Sequence, residues 1–193
     1  VAAGRGDKFA GVRVFFAAQD ASDRMMVATS TNHGRAWSSP FDLSTPLGVK
    51  SATFAETIVG DDDRAAVEWL GTTTVGNAFA TGFTGIWHAY MSVTYDGGVT
   101  WTTTDLTPTD PVQRGCIWLQ GGSNACRNLL DFNDITMDSK GRILGEFADG
   151  CILLNGCSLS TGTAGQSTYS WGTIVRQSSG NTLLSAFDSG TVV

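Results

Sequence analysis

Two short strand-like stretches carry the side chains with the clearest capacity for chemistry. Residues 53–59, TFAETIV, contain Glu56, and residues 131–137, DFNDITM, contain Asp131, Asn133 and Asp134. Carboxyl groups whose pKa values are pushed apart by their surroundings are what glycoside hydrolysis requires, one protonated as acid and one ionised as base or nucleophile. Strand alternation puts Asp131 and Asn133 on one face and Asp134 on the other, so only part of the set can serve one site. The competing reading is that these groups satisfy backbone at strand ends or line a water-filled channel.

Arg127 follows Cys126 and precedes the second stretch, so a disulfide there would hold it at a strand entrance, where it could bind an anionic group. Arg114 is a weaker alternative. Arg64 and Arg142 occupy equivalent turn positions, which points to ion pairs with Asp61, Asp62, Asp63 and Asp138 and not to catalysis. Trp87 and His88 open a strand after a Gly-rich stretch and offer an aromatic face for the apolar side of a pyranose, with core packing as the alternative. Asp61-Asp62-Asp63 lacks the alternating spacing of a calcium loop, and Arg5-Gly6-Asp7 is too short to carry meaning.

The elements that must position these groups are strands. The 193 residues include 24 Gly, 19 aromatic residues and only 4 Pro. Helical periodicity is absent, so an all-β fold is expected. A repeat supports this: residues 53–71, TFAETIVGDDDRAAVEWLG, match 131–150, DFNDITMDSKGRILGEFADG, as strand, polar turn ending in Arg, and second strand. Residues 1–18 fit with a shortened first strand. A second hairpin follows each copy, from 25–30 into Trp37, from 87–94 into Trp101, and from 169–176 toward Leu183. The inserted stretches 72–85 and 151–167 lie between the second and third strands and suggest one decorated face.

The hairpin turns carry an S/T-x-D-x-G-x-x-W motif, complete from Thr94 through Asp96 and Gly98 to Trp101, and present with Asn in place of Asp from Ser30 through Asn32 and Gly34 to Trp37. This resembles the Asp-box, or BNR, repeat of secreted sialidase-like β-propellers, and 110–151 is also similar to secreted bacterial proteins of that kind. The resemblance implies about three four-stranded antiparallel blades, near 1–46, 47–110 and 111–193, of a six-bladed ring. In such a turn the short polar side chain accepts backbone N–H groups, Gly supplies a positive φ, and Trp packs beneath the hairpin. The resemblance also implies that 53–59 and 131–137 are innermost strands facing the ring axis. Sialidases hold a sugar carboxylate with three arginines and use a Tyr–Glu pair, a loop Asp and an Arg-Ile-Pro motif. No Arg-Ile-Pro occurs here, and Tyr90 with Glu68 could imitate the Tyr–Glu pair, although blade packing is the better account of Tyr90.

The formal charge of -6 and the lack of a basic stripe argue against nucleic acid as a partner, and no stretch reaches the length of a membrane span. Cys116 with Cys126 and Cys151 with Cys157 bracket Gly/Asn-rich loops, a pattern of disulfides in a secreted or cell-surface protein. Neither pair has C-x-x-C spacing and His33 and His88 lie far off, so no metal or cofactor is expected. Three blades leave open edges, which makes further blades, from a longer chain or a second copy, the expected partners. The other expected partner is glycan or another extracellular ligand. The functions implied are glycan recognition with exo-glycosidase hydrolysis or, alternatively, a non-catalytic binding or structural module.

Overall fold

The structure is a computed structural model and describes residues 1–7, 13–118, 124, 126, 129, 132–152, 154, 156–160 and 170–188. Among the described residues there is no α-helix, and the strands form three antiparallel sheets. The first sheet is β1 (Ala2–Ala3), β2 (Val14–Gln19), β3 (Met25–Ser30) and β4 (Phe41–Asp42) in that order. The second is β5 (Ser51–Val59), β6 (Ala65–Thr72), β7 (Ile86–Thr94) and β8 (Thr102–Asp105), with β9 (Gln113–Arg114) pairing the start of β7. The third has three strands, β10 (Asp134–Met137), β11 (Ile143–Asp149) and β12 (Trp171–Arg176). The all-β expectation and the meander order are thus met, while four strands in every sheet are not.

The hairpins follow from turn chemistry. Asp20 accepts the N–H groups of Ser22 and Arg24 (2.9 Å each) between β2 and β3, and Asp138 does the same for Lys140 and Arg142 (2.9 and 3.1 Å) between β10 and β11. In both turns the arginine at the far end closes back onto the aspartate. The two Ser/Thr-initiated turns share another pattern. Thr94 Oγ1 accepts from Gly98 N–H (2.9 Å) while Asp96 accepts from Val99 and Thr100; Ser30 accepts from Gly34 (2.9 Å) while Asn32 accepts from Ala36. Gly34 and Gly98 have φ of 77° and 90°, a region that favours glycine.

The tryptophans after these turns differ. Trp101 is half-buried and meets Phe15 of the first sheet edge-on at 6.2 Å. Trp37 lies against Phe16 at 6.1 Å and stays 42% exposed, because no sheet of the described residues covers that face, which corrects the expectation that both pack into the interior. Among the described residues the third sheet has no fourth strand, because long-range contacts draw away the residues that would form it. Gln177 replaces the turn-starting hydroxyl residue, and Leu183 is fully buried between two turns, donating its N–H to Gly141 O (2.8 Å) and accepting from Asp61 N–H (2.9 Å).

Each sheet contact is built mainly from apolar side chains. Ala17, Met25 and Val27 of the first sheet pack on Val67, Trp69 and Tyr90 of the second. On the opposite face Ala66 and Met91 meet Ile135 and Ile143, and Leu70 and Trp87 meet Phe147. Every residue of β6 is therefore buried. β5 lies against β1 and β2 on one side and β10 on the other, so the first strands of the sheets gather along one side of the stack. Two disulfides form, Cys116–Cys126 and Cys151–Cys157, as the loop placement predicted and as suits an oxidising compartment. No helix of the described residues is long and apolar enough to cross a membrane.

Candidate functional site

The carboxyl groups come together where β5 and β6 meet β10 and β11. Glu56 is directly opposite Glu68 in the β5–β6 ladder, and Asp134 is directly opposite Glu146 in the β10–β11 ladder. A bulge between Thr53 and Glu56 sets the first pairing: it inserts one residue, with Phe54 at φ 54°, and so brings Glu56, not Ala55, opposite Glu68. Glu68 points from β6 toward the third sheet and its carboxyl abuts Gly145 of β11.

Burial separates the four groups. Glu56, Asp134 and Glu146 are exposed, whereas Glu68 is fully buried and neither of its carboxyl oxygens has a hydrogen-bond partner among the described residues. Burial, reinforced by the charges of Asp134, Glu56 and Glu146, pushes the Glu68 pKa up to about 8. Glu56 is also raised, by burial and then by Asp134. Glu68 therefore holds a proton at neutral pH, and the cluster combines a neutral acid with solvent-facing carboxyl groups. Apart from the α-amino group of Val1, no cation among the described residues acts on Glu56 or Glu68.

Among the sequence-predicted residues, the structure thus unites Glu56 and Asp134. Asn133 neighbours them in chain and has a buried Nδ2 without a partner among the described residues. Asp131 and Arg127 lie outside the described residues. Trp87 and His88 point to opposite faces of β7 and make no common platform. Trp87 is fully buried, donates its indole N–H to Gly115 O (2.8 Å) and meets Phe83 edge-on, so it has no ring face for a sugar. His88 bonds Thr107 O (2.7 Å), and Asp105 raises its pKa. Tyr90 stacks on Trp69 at 4.5 Å facing the first sheet, away from Glu68, and the two form no Tyr–Glu pair. Arg142 pairs with Asp138, but Arg64 pairs chiefly with Asp188 (2.5 Å) and only distantly with Asp63 (4.0 Å).

Sequence reasoning missed Glu146 and the pairing of Glu68 with Glu56, while its packing role for Tyr90 agrees with the structure. The signal was in the repeat. Glu56 and Glu68 align with Asp134 and Glu146, and each pair is separated by twelve positions. A scan against protein-family models and a search of curated proteins found no match to this chain.

Proposed function

We propose that the chain is a three-blade portion of an extracellular, sialidase-like β-propeller whose inner-strand carboxyl groups bind glycan and assist glycosidic hydrolysis. The observation that carries this reading is the repeated carboxyl pair with a buried, proton-bearing Glu68 at its back. Three two-faced sheets, two Asp-box-like turns and first strands gathered on one side support the propeller. In the reaction Glu56, with its raised pKa, protonates the leaving oxygen, and Asp134 serves as base or nucleophile. Glu68 is too deeply buried to touch substrate and acts by limiting the charge of the group.

A second reading, a non-catalytic binding or structural module, is favoured by the charge balance. Arg5, Arg24, Arg64 and Arg142 are each ion-paired elsewhere. No described arginine acts on Glu56 or Glu68, so a sialoside carboxylate would meet carboxyl groups there without an offsetting cation, whereas neutral hydroxyl-rich sugars would be accepted. The test is fluorophore release from a sialoside and several neutral glycosides, with Glu56→Gln and Asp134→Asn alongside. Loss of release by about 100-fold or more in both variants is expected of an acid/base pair. No release from any substrate, with glycan binding that still depends on Glu56, would establish the binding module instead.

A further inference from the structure

Among the described residues the third sheet ends on an unpaired edge. β12 bonds β11 on one side only, and Gln177 N–H donates to Ile143 O (2.8 Å) where that ladder ends. Antiparallel alternation from this bond turns the main-chain groups of Val175, Thr173 and Trp171 toward β11 and those of Gly172, Ile174 and Arg176 outward. The outward groups have no main-chain partner among the described residues.

The other two sheets show what suits such an edge. Leu43 N–H donates to Met25 O (2.9 Å) and Leu106 N–H donates to Ala89 O (2.8 Å), in each case from the fourth strand to the third. The next residue then accepts the amide of the same partner: Met25 N–H donates to Ser44 Oγ and Ala89 N–H to Thr107 Oγ1, both at 3.0 Å. Asp42 and Asp105 brace these hydroxyl residues by accepting their N–H groups at 2.9 Å. Both fourth strands therefore end in Asp-Leu-Ser/Thr. Aligning the ladders on Glu68↔Met91 and Glu146↔Ile174 makes Gly172 the counterpart of Ala89.

Two differences define the occupant of the third edge. Arg24 and His88 stand 3.6 and 3.4 Å from Asp42 and Asp105, but the equivalent residue of β12 is Trp171, 59% exposed, which calls for an apolar residue where the other strands have Asp. At the opposite end Arg176 is exposed and makes no ion pair among the described residues, which calls for an acid. A groove of about 360 Å³ beside the edge, lined by Met91, Leu106 and Val175 together with Thr102, Thr104 and Arg176, receives the inward side chains.

This chain does not supply that strand from its described residues. Residues 177–188 are held elsewhere, with Leu183 between the turns and Asp188 on Arg64. Its two Asp-Leu-Ser/Thr segments are engaged in their own sheets, so a second folded copy has none to donate. We infer that the β12 edge is a strand-acceptor site for an extended segment lying outside residues 1–193, with an acidic residue facing Arg176 and Leu-Ser/Thr closing on Gly172.

The probe is an acetylated and amidated hexapeptide, Glu-Thr-Thr-Val-Leu-Thr, titrated into the isotope-labelled chain. The resonances of Gly172, Ile174 and Arg176 should shift and their amides exchange about tenfold more slowly, while Thr173 and Val175 change little. A peptide with Pro for Leu, lacking the N–H that reaches Gly172 O, should not bind. Arg176→Glu should weaken the peptide about threefold or more, and a Lys-headed peptide should recover the loss. Slow exchange of the three outward amides in the free chain would mean that its own residues cover the edge, and would overturn the inference. So would unchanged spectra at millimolar peptide, or equal binding of the Pro peptide.

Discussion

The Glu68 carboxyl and the Gly145 backbone share one space: a Cβ at position 145 would fall inside the van der Waals envelope of Glu68 Oε2. The acid crosses from β6 into the gap between two apolar clusters, and the glycine is the notch that admits it. Gly145→Ala should therefore destabilise the chain by about 1–3 kcal/mol through overpacking. Glu68→Ala empties the space, so the double variant should cost less than the sum of the single ones. Urea unfolding of the four proteins reads the coupling, and strict additivity would show that the two residues do not compete.

Glu68 also sets a pH dependence. Its pKa rises from the ordinary 4.5 to about 8 in the folded chain, so between those values the folded state keeps a proton that the unfolded state has released. Stability should fall as pH climbs through that window, by up to ~1.4 kcal/mol per pH unit, and level off above it. Asp149, raised by burial to about 6, contributes the same sign at lower pH and little above it. Glu68→Gln should flatten the curve between pH 6 and 8, as urea midpoints across about pH 5–9 would show. An identical slope in the variant would sink this assignment.

Arg64 ties the last described residues to the second sheet. Its guanidinium grips both Asp188 oxygens (2.6 and 2.5 Å), donates to Thr182 O (2.7 Å) and lies 5.4 Å from the Tyr95 ring. Arg64→Ala should cost about 1–3 kcal/mol and speed amide exchange at Leu183, whose N–H bonds Gly141 O. Asp188→Asn should have a smaller effect of the same kind. Exchange at Leu183 that ignores both changes would place the anchor elsewhere.

The two disulfides close short loops, with sequence separations of 10 and 6. Loop-closure entropy assigns each about 2–3 kcal/mol, the larger to Cys116–Cys126. Thermal unfolding of the Cys116→Ser/Cys126→Ser and Cys151→Ser/Cys157→Ser variants should rank them in that order. The first pair also packs inside the cluster around Trp87 and Phe147, so its removal should loosen that side chain packing as well.

Strands, turns and disulfide pairs were legible because their causes are local. Asp20 and Asp138 cap their turns, Gly34 and Gly98 take a positive φ, and each cysteine pair brackets its own loop, so a few consecutive residues contain the whole reason. That no fourth strand of the described residues pairs with β12 was not legible. The residues that would have formed it are drawn to Gly141, Asp61 and Arg64, all more than thirty positions away.

The sequence by itself determined an all-β chain of repeated hairpins and placed Glu56 and Asp134 at equivalent points of that repeat. Only the tertiary structure decided what those carboxyl groups meet. A bulge at Phe54 turns Glu56 onto Glu68, the approach of the third sheet buries Glu68 over Gly145, and the same burial takes Trp87 out of reach of any ligand. Alternation along a strand is a local rule, but burial depends on which sheet lies across the gap, and for Glu68 burial is the first cause of its raised pKa.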